Sequence, residues 1–156
     1  MGQGTEERVK TLLQRYEKVG IDTTPFIYHF EANPSYILFT KPLFHSIEGG
    51  HPSAVTSFIS LMEILVKPKR EGNLDAVEEY KFVFSAFPNL QLRSVDEVVA
   101  EKAAELRAKY MLRPPDAIQI AATIVENAQA FITNDERMKQ VQEIEILIMK
   151  EVLRIQ

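Results

Sequence analysis

A chain of 156 residues with 46% apolar and 26% charged side chains can bury a core of its own, which excludes a disordered chain and a disulfide-stapled miniature. It has no cysteine, so disulfides, thiolate metal sites and cysteine nucleophiles are excluded, and a reducing cytoplasm is the expected setting. A net charge of −4 argues against a protein that coats nucleic acid non-specifically, and no apolar run approaches the roughly 18 residues of a membrane span.

Residues 5–18 carry Val9, Leu12, Leu13 and Tyr16 at helical spacing and predict an amphipathic helix. A short strand from Val19 to Asp22 follows. Pro25, tolerated in a first helical turn, opens a helix over 25–32. Ile37, Leu38, Phe44 and Ile47 mark another over 35–48, stopped by Gly49-Gly50. The β-rich run 54–59 predicts a buried strand. Ser60 to Glu63 has the form of a capping box that opens a helix ending near Pro68. Next come a helix over 74–87, a strand over 90–93, and a helix from the Ser94–Glu97 capping box to about Met111. Pro114-Pro115 breaks the chain before a helix over 116–127, whose apolar face carries Ile118, Ala121, Ala122 and Val125. Residues 130–133, 135–141 and 144–149 predict a strand, a short helix and a final strand. Strands alternating with helices imply an α/β fold, a parallel sheet covered on both faces, in one domain over 1–156.

In open parallel sheets, ligands bind at the carboxyl ends of the strands. Asp22 closes the first strand, Glu63 follows the second, and Asp135 follows the strand over 130–133. Asp116 heads a helix, and helix starts gather at the same edge. Each acid also has a local role open to it. Asp22 suits a turn or an N-cap, Glu63 completes the box with Ser60, Asp116 with Gln119 imitates a cap, and Asp135 complements a helix dipole. Taken together, four carboxylates at one edge would repel and raise one another's pKa. A hard divalent cation removes that cost, activates water and stabilises in-line displacement at phosphorus. The catalytic candidates are therefore Asp22, Glu63, Asp116 and Asp135, with Asp22, Asp116 and Asp135 as ligands of a hard divalent cation such as Mg²⁺.

Asp116, Gln119 and Thr123 share a polar helical stripe, while Thr23 and Thr133 flank two of the acids. Thr23, Thr133 and Gln119 are placed to orient a carboxylate or a water, or to make local backbone bonds instead. Lys67, Lys69 and Arg70 form a basic turn open to RNA phosphate or to solvent alone. Arg113 precedes the Pro-Pro-Asp run as a second RNA contact or as half of an ion pair. His29, His45 and His51 lack metal-ligand spacing. The aromatic residues Phe26, Tyr28, Phe30, Tyr36, Phe39 and Phe44 read as core, with some available for a partner groove.

Four stretches resemble one family. VGIDTTPFIYHFE looks like the opening strand and helix of PIN domains, SFISLMEIL like their second acidic motif, RPPDAIQIAATI like the third and AFITNDERM like the fourth. They occur in order over residues 19 to about 148. The resemblance implies a three-layer α/β/α sandwich around a central parallel sheet. It also implies a Mg²⁺- or Mn²⁺-dependent endoribonuclease that leaves 5′-phosphate and 3′-hydroxyl ends. The acidic tetrad of the family falls on Asp22, Glu63, Asp116 and Asp135. Thr23 falls on the small polar residue after the first acid, and Thr133 on the polar residue before the fourth. Similarity to VapC-type toxins implies a homodimer and a cognate antitoxin. The helix over 5–18 is an addition to the family pattern, and Thr24 stands where Asn or Ser is commoner. Three alternatives are a phosphatase, which wants an acid at Thr24; a receiver, which wants a lysine nearer the last strand than Lys150; and a catalytically degenerate PIN domain serving as an RNA-binding or assembly scaffold.

Overall fold

A computed structural model describes residues 2–154; Met1, Ile155 and Gln156, the ends of the expected domain range, lie outside the described residues. The elements are α1 (Gly2–Leu13), β1 (Lys18–Ile21), α2 (Thr23–Phe30), α3 (Ile37–Glu48), β2 (Ser53–Ser57), α4 (Phe58–Arg70), α5 (Leu74–Ala86), β3 (Leu90–Arg93), α6 (Glu97–Lys109), α7 (Pro114–Val125), β4 (Ala130–Thr133), a 3₁₀ turn (Glu136–Gln140), β5 (Glu145–Ile148) and α8 (Met149–Leu153). The five strands are all parallel, in the order β3-β2-β1-β4-β5. The expected three-layer α/β/α sandwich is the observed fold.

Strand alternation sorts the core into two layers. Val19, Ile21, Ala54, Ala130, Ile132 and Leu147 face α1 to α5 and α8, within the larger apolar cluster. Phe131 and the partly buried Ile146 face α6 and α7, within the second. Gly20 points to that same side, against α7. A Cβ there would sit 2.1 Å from Thr123 Oγ1, so only glycine lets the helix approach the central strand this closely. The aromatic run packs mainly inward as expected. Phe26 lies 4.7 Å from Phe84 and 5.2 Å from Phe44 between ring centres, while Tyr28 stacks on Tyr36 at 4.3 Å.

Several boundaries differ from the sequence reading. The first helix spans 2–13 rather than 5–18, because Arg15 and Tyr16 bond back three residues and tighten the chain into a turn. Tyr16 stays buried and donates its hydroxyl to Glu145 at 2.7 Å. Strand β2 stops at Ser57, whose Oγ accepts from Ile59 N–H at 3.1 Å and caps α4. Helix α4 therefore starts before Ser60 and runs through the buried Pro68 to Arg70, so the basic residues occupy its last turn rather than a separate turn. Asp96, not Ser94, caps α6 by accepting from Val99 N–H at 3.1 Å. Helix α7 begins at Pro114, where two prolines fit a first turn whose N–H groups have no helical partner. The chain end adds a helix, α8, that periodicity did not indicate; Asn134 accepts from Lys150 N–H at 3.0 Å and helps turn the chain out of β5. Among the described residues, no helix is long and apolar enough to cross a membrane.

Candidate active site

Strands β1, β2 and β4 are neighbours and parallel, so their carboxyl ends meet at one edge. Asp22 leaves the end of β1 and caps α2. One of its oxygens accepts from Thr23 N–H at 2.8 Å, and the other accepts from Thr133 Oγ1, at the end of β4, at 2.7 Å. The cap and the expected site position thus fall on one side chain. Asp22 is only 8% exposed, and burial pushes its pKa up to about 6. The Thr133 and Thr23 bonds pull the pKa back down, and the charges of Asp116 and Glu63 add to the rise. Asp116 and Glu63 are therefore both within electrostatic reach of Asp22.

Glu63 is not the partner of a capping box, because α4 starts five residues before it. Its carboxylate instead accepts from Thr23 Oγ1. Asp116 sits in the first turn of α7 with its side chain 13% exposed, and Asp135 caps the 3₁₀ turn by accepting from Arg137 N–H at 3.0 Å.

Beneath the acids lies a buried polar network with little freedom in its proton directions. Gln119 Nε2 donates to Ser60 Oγ at 2.7 Å and to Thr23 Oγ1 at 3.1 Å. It also lies 3.5 Å from Asp22 Oδ1. Its Oε1 accepts from Ser57 Oγ at 2.6 Å. Thr56 gives its hydroxyl proton to the Ile21 carbonyl at 2.7 Å, so Ser60 is the donor in the 2.7 Å Ser60–Thr56 contact. Thr23 in turn can give its proton to Glu63. The expected supporting residues Thr23, Thr133 and Gln119 are thus all brought to the edge. Thr123, on the same stripe, bonds instead to the Gln119 carbonyl at 2.9 Å. Ser57 and Thr56 were not singled out from the sequence; the signal available was a strand ending in consecutive hydroxyl residues, which a fully apolar strand would not need.

The basic candidates divide. Lys67 lies 3.9 Å from Glu31 and shares a small cleft with Glu63, Ile27 and Tyr80, whereas Lys69 and Arg70 are exposed at the helix end. Arg113 donates to Asp116, Nε to Oδ2 at 2.9 Å. Arg137, which the sequence reading passed over, forks onto Asp135, Nε to Oδ1 at 3.0 Å and a second nitrogen to Oδ2. Its position two residues after an acid was the clue available. This ion pair holds the Asp135 pKa below its ordinary value. Arg113 also feels the charges of Asp135 and Arg137, and Arg137 feels Asp116, so the two pairs form one cluster. Of the histidines, His29 packs on Phe44 at 4.6 Å between ring centres and the other two are exposed.

The donor set suits a hard cation: oxygen ligands only, one of them raised in pKa by its burial, with the charges of Asp116 and Glu63 adding to the rise. Among the described residues, however, no three acidic or histidine side chains close around a common point. The two guanidinium groups lie against Asp116 and Asp135.

A family model described as the PIN domain matches residues 19–144. Among solved structures, the chain is similar to one in a toxin–antitoxin complex from Klebsiella pneumoniae, with a TM-score of 0.62 and 21% identity over 83% of this chain and 95% of that one. It is similar to a chain of VapBC2 from Rickettsia felis bound to a DNA fragment from their promoter, with a TM-score of 0.67 and 15% identity over 84% and 98%. A third is a chain of DNA-bound VapBC from Salmonella typhimurium, with a TM-score of 0.61 and 20% identity over 85% and 98%. Identities this low speak for a shared fold alone. The sequence matches no curated protein.

Proposed function

The chain belongs to the PIN-domain family, and from that premise we propose that it is a Mg²⁺- or Mn²⁺-dependent endoribonuclease acting as the toxin of a toxin–antitoxin pair. The observation that carries the proposal is Asp22: a buried carboxylate with a pKa near 6, acted on by the charges of Asp116 and Glu63 at the carboxyl edge of a parallel sheet. Like charges beside a buried carboxylate carry a cost that a divalent cation would remove.

Asp22, Asp116 and Asp135 are the residues that would hold the ion. When bound, the ion supplies Lewis acidity and lowers the pKa of water. Thr133 and the Thr23 N–H fix both oxygens of Asp22, so its carboxylate is oriented before substrate arrives. Thr23 holds one oxygen of Glu63, which leaves the other to ligate the ion or to position the attacking water. Gln119 locks Thr23 and Ser60 from below. Water adds to phosphorus, the ribose 3′-oxygen leaves with a proton, and the products carry 5′-phosphate and 3′-hydroxyl ends. Lys67 and Arg113 border the acids and are the basic candidates best placed for RNA phosphate. The toxin–antitoxin complexes of similar fold support an antitoxin partner; a homodimer and a cytoplasmic setting belong to the same reading.

Incubation of purified protein with single-stranded RNA tests this. Cleavage should require Mg²⁺ or Mn²⁺, stop with EDTA, and be lost by at least about 100-fold in Asp116→Asn at unchanged circular dichroism, as expected for a group that organises transition-state charge. Full activity in both Asp22→Asn and Asp116→Asn would sink the assignment. The arginine pairs also favour a second reading, a non-catalytic scaffold with permanently neutralised acids. It predicts RNA binding without cleavage at any metal concentration.

A further inference from the structure

We propose that Arg113 and Arg137 are built-in counter-ions of the site, which a divalent ion must displace from Asp116 and Asp135 and which then hold the phosphate of the RNA. The inference rests on the nuclease reading above and adds a second role for two residues of this chain. Each arginine sits on an acid assigned to the ion, within three residues of it in sequence, and each contact uses two guanidinium nitrogens. The acids are sheltered at 13% and 24% side-chain exposure, but the arginines are 61% and 63% exposed. The guanidinium groups can therefore leave without opening the core.

The competition favours departure. An ion pair with an exposed arginine contributes little, because water screens it and the long side chain loses freedom to hold it. A divalent ion brings twice the charge to the same carboxylates and gathers several at once. Displaced arginines retain a use, since a planar guanidinium matches the oxygens of a phosphate as well as those of a carboxylate. Arg137 has a place to turn. It lines an open cleft of about 410 Å³ beside Asp135, together with Thr24, Tyr28, Asn134, Glu136 and Lys150. That cleft sets two cations, an aromatic ring and an amide beside the carboxylates of Asp135 and Glu136, and once an ion holds Asp135 its cations and ring suit the strand flanking a scissile phosphate. The site as a whole would exchange internal cations for an external one, and reuse the internal pair on substrate.

The experiment has two readouts whose signs differ. Mn²⁺ is titrated calorimetrically into EDTA-stripped protein without RNA, and KM for a single-stranded RNA is measured separately. Arg113→Gln and Arg137→Gln should each bind Mn²⁺ about fivefold more tightly, the scale of one weak ion pair removed. The same variants should raise KM for RNA. Arg137→Lys keeps the charge but not the fork, so its Mn²⁺ affinity should stay near that of the unsubstituted protein while KM remains raised. A purely structural role would instead weaken metal binding and RNA use together. Unchanged or weaker Mn²⁺ affinity in both glutamine variants overturns the inference while leaving the nuclease reading intact. Failure of the unsubstituted protein to bind Mn²⁺ at all would overturn both.

Discussion

Asp22 is pulled in two directions. Burial and the charges of Asp116 and Glu63 favour its neutral form, while Thr133 and the Thr23 N–H favour its anion. Its folded pKa of about 6 lies above the ordinary value of 3.8, so the neutral acid supports the fold below about pH 4. That support is lost as pH rises through 6. Asp22→Asn removes the cost of the buried charge. In EDTA at pH 7.5 the variant should be more stable than the unsubstituted protein by roughly 1–3 kcal/mol, the scale of a shift of this size. At pH 4 the difference should shrink towards zero. Urea denaturation at the two pH values checks this; a variant that is less stable at pH 7.5 would contradict it. The same substitution should abolish cleavage, so stability and activity would move in opposite directions.

At the scale of elements, Gly20 makes the sharpest demand. Its missing Cβ is filled by Thr123 from α7, and Gly20→Ala would press a methyl group into Cβ, Cγ2 and Oγ1 of that threonine at once. The threonine has no flexible end with which to yield. The substitution should cost about 1–3 kcal/mol, as overpacking does, read as a lower denaturation midpoint. It should also reduce cleavage, because α7 carries Asp116 and Gln119. A stable, fully active Gly20→Ala protein would show that α7 can withdraw.

The elements themselves were largely legible, since all five strands carry short β-rich runs and α7 carries a clear apolar face. The misplaced boundaries share a cause: local hydrogen bonding outcompeted pattern. Ser57 and Asp96 took the caps that Ser60 and Ser94 had suggested, and a bond from Lys150 N–H to Asn134 helped set where β5 gives way to α8. The four acids were visible because each follows a strand or opens a helix. Of the network under them, Thr23, Thr133 and Gln119 were legible, but the bonds of Ser57 and Ser60 to Gln119 were not, because they join segments about 60 residues apart. Arg137 was missed for a related reason: its partner is an acid already given another role.

For the molecule as a whole, α4 presents an uncovered apolar stripe. Phe58, Met62 and Val66 recur at four-residue intervals and are 46%, 54% and 45% exposed. A second copy of the chain covering this stripe would remove it from water. Light scattering coupled to size exclusion should then read twice the mass of one chain, and Met62→Glu should halve it. A monomer at high concentration would remove the homodimer from the proposal. The strand order has a different kind of consequence. The strands that bring Asp22, Glu63 and Asp135 to the edge are the inner three, while β3 and β5 form the rims. When a rim strand peels away in thermal breathing, β2, β1 and β4 stay laddered together. A partly opened molecule would therefore keep its acids assembled, so the chemistry would outlast the integrity of the borders.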